Sequence, residues 1–271
     1  MKNKVVTKII SILLAGAVAF GSAPISVFAK AEENVLQASP LDGYVAIHNR
    51  EELVNINSFP GHKFYLANDI DLAGENWIPI KNFDGIFDGQ GHTIKNMTIN
   101  TDDYVNDDNG YMDCGLFSEI DCNLGYEVRV CNLNLENVSI TANDTACVGA
   151  VVGSVTMGNR VVTFDNITVS GRIEASGDGA GLIGSIYNYD SGYAGSSDEK
   201  VVISNCTNNA EVTCGYSAAG IIENVSCETY NLEISDCTNN GSIYGDNSAT
   251  GIAARIDAYN ATIREVWSHL Q

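Results

Sequence analysis

Five copies of one glycine-centred pattern recur along the chain, and they limit its fold more than any other feature. They are Cys114-Gly115-Leu116-Phe117, Val148-Gly149-Ala150-Val151-Val152-Gly153, Ala180-Gly181-Leu182-Ile183-Gly184, Ala219-Gly220-Ile221-Ile222 and Thr250-Gly251-Ile252-Ala253. With Gly115, Gly149, Gly181, Gly220 and Gly251 as markers, the spacings are 34, 32, 39 and 31 residues. Such a period marks supersecondary units that bury their apolar faces only by stacking. Each period holds about three β-prone runs separated by Gly, Asn and Asp. One copy has Val201-Val202-Ile203-Ser204, Ala210-Glu211-Val212-Thr213 and Ala218-Ala219-Gly220-Ile221-Ile222; the next repeats the set from Leu232 to Ala253. A leucine-rich repeat needs a helix in each unit and a propeller blade needs four strands. The expected fold class is therefore all-β, a parallel β-helix with about three short strands per turn, capped by a short N-terminal helix. About five turns at roughly 4.8 Å per layer predict a rod about 25 Å long.

The helix is expected over residues 49–56, where Asn49 and Glu52 have capping-box spacing and Leu53 and Ile56 share a face. Next comes Phe83-Asp84-Gly85-Ile86-Phe87-Asp88-Gly89-Gln90-Gly91-His92-Thr93-Ile94, which reads as strand, tight turn, strand, with the flanking strands almost edge to edge. Residues 102–113 form an acidic loop that projects. The extra length of the 39-residue period lies in a Tyr- and Gly-rich insertion at 188–198, expected at a corner. After Ala254 an apolar stripe of Ile263, Val266, Trp267 and Leu270 suggests a tail or a capping helix, or a chain that continues.

The first residues are an address. Lys2, Lys4 and Lys8 precede an apolar run and small residues at a cleavage site, as in a secretory signal peptide. The expected organisation is a signal peptide at 1–31, a leader at 32–43, a cap with the first turns at 44–100, repeated turns at 101–254, and a tail at 255–271. Removing residues 1–31 takes away four lysines and no acid, so the net charge moves from −20 to −24. That charge disfavours nucleic acid and anionic membranes as partners. Eight cysteines in an exported chain first suggest disulfides. Cys206 and Cys237, however, hold one place in two repeats, with Cys131 in a similar place, so buried unpaired thiols stacked in layers are expected. The asparagines of Thr207-Asn208-Asn209 and Thr238-Asn239-Asn240 are expected to bond along the rod.

The run Asp69-Ile70-Asp71-Leu72, Trp77-Ile78-Pro79-Ile80 and Phe83 to Ile94, followed by Gly-Leu-Phe and Gly-Leu-Ile-Gly segments, resembles the GLUG-motif proteins. These are bacterial exported or surface proteins, and the resemblance covers roughly residues 44–254. It implies right-handed β-helix architecture similar to the pectate-lyase-like superfamily. It also implies display, binding or spacing, because such repeats accompany adhesins and the non-catalytic parts of immunoglobulin A-cleaving metallopeptidases. No His-Glu-x-x-His occurs, so peptidase activity is not implied.

The chemistry-bearing residues are scattered. His48, His62, His92 and His269 stand singly, and His92 reads as a structural hydrogen-bonding residue in its turn. Gly179-Ala180-Gly181-Leu182-Ile183-Gly184 matches a dinucleotide fingerprint but belongs to the repeat, with no helix after it. Polysaccharide lyase or hydrolase activity on the wall would need grouped carboxylates. Acids such as Asp102, Asp165, Asp190 and Asp198, with Arg129, Arg160 and Arg172 as bases, form no local constellation, so no catalytic residue is assigned and no enzyme is expected. Calcium is the one cofactor considered, with Asp102, Asp103, Asp107, Asp108 and Asp113 as ligands; a solvated acidic loop is the alternative. Tyr104, Tyr111, Tyr187, Tyr189 and Tyr193 suit stacking on sugar rings, or else they pack the corners. The expected function is a secreted or cell-surface module for adhesion or spacing, with a glycan or a surface protein as partner. The alternatives are a polysaccharide-cleaving enzyme and the non-catalytic repeat region of a larger surface peptidase.

Overall fold

The computed structural model describes residues 43–56, 62–103, 113–122, 127–143, 147–158, 161–188 and 199–268. These form a parallel β-helix in which each strand hydrogen-bonds to its counterpart one coil away. The first wall stacks eight layers. Tyr44–Ile47 pairs with His62–Leu66 and that with Gly85–Asp88, followed by residues 129–131, 162–165, 200–204, 231–235 and 260–264. Eight layers exceed the five expected turns because the segment before residue 101 coils in the same register.

A full coil carries five stacked segments. The three runs read from the sequence are all strand, but the third contains a corner: Ser217–Ala219 and Ile222–Ser235 lie on different walls. The fifth segment is as short as Thr207–Asn208, too brief and polar to register as a β-prone run. Long strands such as Val128–Ala142 and Val161–Ala175 pass through two corners without interruption.

One corner repeats its backbone. Gln90, Asn132, Asn166, Asn205, Asp236 and Glu265 all have φ between 52° and 54°. Asparagine tolerates this left-handed region better than most L-residues. Its amide also links layers: Asn132 Nδ2 donates to Asp88 Oδ1 at 3.0 Å, and Asn166 Nδ2 to Asn132 Oδ1 at 2.9 Å. The Gly85–Gly91 stretch is thus a corner, as expected. Its flanking strands, however, do not pair with each other. Gly85–Asp88 and Thr93–Lys95 sit on successive walls and bond to different neighbours.

The space between the walls is filled by apolar side chains. Phe64, Phe83, Phe87 and Phe117 are buried in the early coils, with Phe83 and Phe117 ring centroids 4.6 Å apart. Later coils use Ile, Val, Ala and Cys. All eight cysteines are free, and all but the half-buried Cys147 are buried. Cys206 and Cys237 both follow the left-handed corner and stack over Ile167 and Leu133. Cys131 does not share that column, since it precedes the corner and aligns with Asp165.

Arg50–Val54 is a single short helix with Asn49 as its cap. Asn49 Oδ1 accepts the Glu52 N–H at 2.9 Å, while Glu52 Oε2 accepts the His48 N–H at 2.8 Å, so the two residues close a reciprocal cap. The expected capping helix after Ala254 is instead strand. Ala253–Arg264 and Trp267–Ser268 continue the coil pattern on Ile222–Ser235 and Thr238–Asn239. The apolar spacing of Ile263 and Val266 comes from that pattern, since they stack on the buried Ile234 and Cys237, whereas Trp267 stacks on Thr238 and is 68% exposed.

Candidate functional site

Two walls meet at a seam where polar residues from five successive coils stack, Ser154 and Ser185 among them buried. On one wall Glu119, Ser154, Ser185, Asn224 and Arg255 occupy one register position, stacked coil over coil. On the adjoining wall the residues leading into the short strands form a second column, Asp113, Cys147, Asp178 and Ser217. Here each acid holds the coil above: Asp113 Oδ1 accepts the Cys147 N–H at 3.0 Å, and Asp178 Oδ1 accepts the Ser217 N–H at 2.8 Å. The walls touch closely. A Cβ on Gly153 would lie 2.5 Å from Asp113 Cβ, and one on Gly184 would lie 2.8 Å from Val148 N.

In the third and fourth coils of the seam a cleft opens, lined by Cys147, Asp178, Gly184, Ser185, Glu223, Asn224 and Arg255. Glu223 takes the register position that Gly184 and Gly153 hold in the two coils before it. It is only 9% exposed. Burial, reinforced by the negative charge of Asp178 and opposed by Arg255, pushes its carboxyl up to about 7. Asn224 Nδ2 donates to Ser185 Oγ at 3.0 Å, while its Oδ1 is enclosed without a partner. An enclosed acceptor of this kind costs about 1–3 kcal/mol unless something donates to it. Burial also pushes the Cys147 and Cys214 thiols up to about 12, so both are neutral and unreactive here.

The residues chosen from sequence are mostly elsewhere. Asp102 and Asp103 are exposed, and both Asp102 oxygens accept from Asn143 Nδ2, at 3.1 and 3.2 Å. Asp113 does not join them; it lies in the seam, where burial raises its carboxyl and the Ser154 hydroxyl partly offsets this. Among the described residues no group of three His, Cys, Asp or Glu side chains could hold a metal ion. Asp107 and Asp108 lie outside the described residues, as do Tyr104, Tyr111, Tyr189 and Tyr193. Tyr187 is half-buried and stacks in register between Thr156 and Ser226, beside the seam column. His92 is structural, its Nδ1 3.0 Å from Asp69 Oδ1.

Asp178 and Glu223 were not singled out from the sequence. They are 45 positions apart and carry no motif. One signal was available: aligning the repeats sets Glu223 where two earlier copies have glycine.

No family model matches the chain. An alignment 146 positions long, covering 48% of the chain, is 30% identical to halomucin of Haloquadratum walsbyi but spans only 1% of that protein. Among solved structures, a Bacteroides ovatus protein provisionally named an immunoglobulin A1 protease is similar at TM-score 0.48 and 16% identity, over 83% of this chain and 84% of the other. The SRRP of L. reuteri 53608 is similar at TM-score 0.27 and 14% identity, over 83% and 99%. Neither likeness is close enough to carry function across.

Proposed function

We propose that this chain is an exported or cell-surface β-helix module that binds glycans along the seam between its two polar walls. One observation carries the reading. Glu119, Ser154, Ser185, Asn224 and Arg255 stack at one register position of five coils, about 4.8 Å apart, over a backbone fixed by the ladder; Glu119, Asn224 and Arg255 reach solvent, while Ser154 and Ser185 are buried beneath that surface. A hydroxyl-rich linear ligand matches the polar groups of such a row that reach solvent. Rigid elements present such groups at little ordering cost. Export is supported by the basic and apolar pattern of residues 1–31, which lie outside the described residues. Among the described residues no helix is long and apolar enough to cross a membrane.

The test is retention of the purified chain on resins bearing mucin, plant cell-wall and bacterial glycans. Retention on at least one, weakened about tenfold or more by Asn224→Ala and by Ser185→Ala, is the expected result. Absence of retention on all three, or retention indifferent to both substitutions, overturns the reading.

A further inference from the structure

A binding row of hydroxyls and amides has no need of Glu223. This carboxyl replaces a glycine at its register position and is 9% exposed in the cleft. The groups around it are Asp178, whose Oδ1 accepts the Ser217 N–H, Arg255 from the next coil, Ser185 and Asn224, and the neutral thiols of Cys147 and Cys214. Asp178 and Glu223 differ sharply in setting. One is held by a backbone donor where it lines the cleft; the other lines the same cleft from the next coil and is 9% exposed. Paired carboxyl groups in split environments, inside a cleft, are how proteins divide general-acid and general-base roles.

We propose that Glu223 and Asp178 hydrolyse a glycosidic bond of a glycan lying in the seam, Glu223 as general acid and Asp178 as the base that activates water. The inference rests on the glycan-binding reading. Glu223 gives its proton to the glycosidic oxygen as the bond from that oxygen to the anomeric carbon breaks. The oxygen of a water molecule bonds to the anomeric carbon, and a proton of that water passes to Asp178. One linkage and one water become two sugars with free hydroxyls. Exchange with solvent then returns a proton to Glu223 and removes one from Asp178, and no oxidation is involved. Burial and the charge of Asp178 keep Glu223 protonated in part near neutral pH. Asn224 and Arg255 position the sugar.

Two measurements on the full chain test this. Carbon-13 NMR titration of the glutamate carboxyls is expected to show one midpoint near 7 that vanishes in Glu223→Gln and moves down in Asp178→Asn. A full set of ordinary glutamate midpoints overturns the proposal. On the glycans that retain the protein, new reducing ends are expected, with release lowered at least about 100-fold by Glu223→Gln while retention persists. Retention without release overturns the catalytic inference and leaves the binding reading intact; loss of both sinks the two together. Unsaturated products, the mark of elimination, or full activity in Glu223→Gln also overturn it.

Discussion

Replacing Asn208 by alanine removes the most enclosed polar link between two coils. Asn208 and Asn239 are both fully buried. Asn208 Nδ2 donates to Asn239 Oδ1 at 2.8 Å and to the Ala210 carbonyl at 3.0 Å, and its Oδ1 accepts the Ala210 N–H at 3.0 Å. Alanine leaves the Ala210 N–H and Asn239 Oδ1 without these partners where water does not reach. At about 1–3 kcal/mol for each stranded group, the loss is about 2–6 kcal/mol. For a chain of this size that corresponds to a fall in Tm of roughly 5–20 °C. The exposed pair one residue on is the control: Asn240 Nδ2 donates to Asn209 Oδ1 at 2.9 Å. Asn240→Ala should cost no more than about 0.5 kcal/mol, since water replaces the lost bond. Both variants are compared by circular dichroism melting at one protein concentration. In the double variant Asn208→Ala/Asn239→Ala, the loss should be smaller than the sum of the single losses. Equal falls for Asn208→Ala and Asn240→Ala, or a change under about 2 °C for Asn208→Ala, refute the view that enclosure gives the ladder its strength.

Gly181→Ala should prevent folding or lower Tm by more than about 10 °C, because its Cβ would lie 2.3 Å from the Gly220 carbonyl oxygen and 2.4 Å from Asn208 Oδ1; a fully folded variant with wild-type Tm counts against the close coil spacing. Glu223 should make the chain less stable as pH rises: its folded carboxyl titrates near 7 against an ordinary 4.5, so between those values the unfolded chain binds fewer protons. After allowance for solvent screening, Glu223→Gln should gain about 1–2 kcal/mol over the wild type between pH 4 and pH 8, and a pH-independent difference refutes this. Iodoacetamide at pH 8 should label no cysteine of the folded chain and all eight after unfolding, since burial holds Cys114, Cys147, Cys214 and Cys227 up to about 12. Rapid native labelling of Cys147, the one half-buried thiol, is the contrary result.

The sequence made the coil legible because stacking leaves a period. Gly115, Gly149, Gly181 and Gly220 sit at corners where the next coil passes too near for a Cβ, and Gly251 lies as close to the Ser268 side chain, so the marker has a steric cause. The asparagine ladder was legible for the same reason, since amide pairing demands asparagine in the same place of adjacent repeats. The C-terminal strand was not. Ile263, Val266 and Trp267 follow a spacing that fits a helix stripe as well as a coil turning a corner at Glu265. The candidate site was also hidden. Local acid density drew attention to residues 102–113, whereas Asp113, Asp178 and Glu223 are joined by the stacking of coils, which no local window contains.

The ladder and the cleft are mechanically one object. A Cβ on Gly181 would meet Asn208, and one on Gly220 would meet Asn239, so the buried amides back directly onto the corner glycines of two successive coils. Those corners feed the strands that carry Ser185 in one coil and Glu223 and Asn224 in the next. A carboxyl enclosed beside another carboxylate is under repulsion that a looser backbone would relieve by letting water in. The amide ladder opposes that relief by holding the two coils in register behind the cleft. Asn208→Ala should therefore do more than lower Tm: in molecules still folded, the Glu223 midpoint should fall from near 7 toward the ordinary glutamate value. A destabilised variant whose Glu223 midpoint is unchanged would show that the cleft keeps its geometry without the ladder.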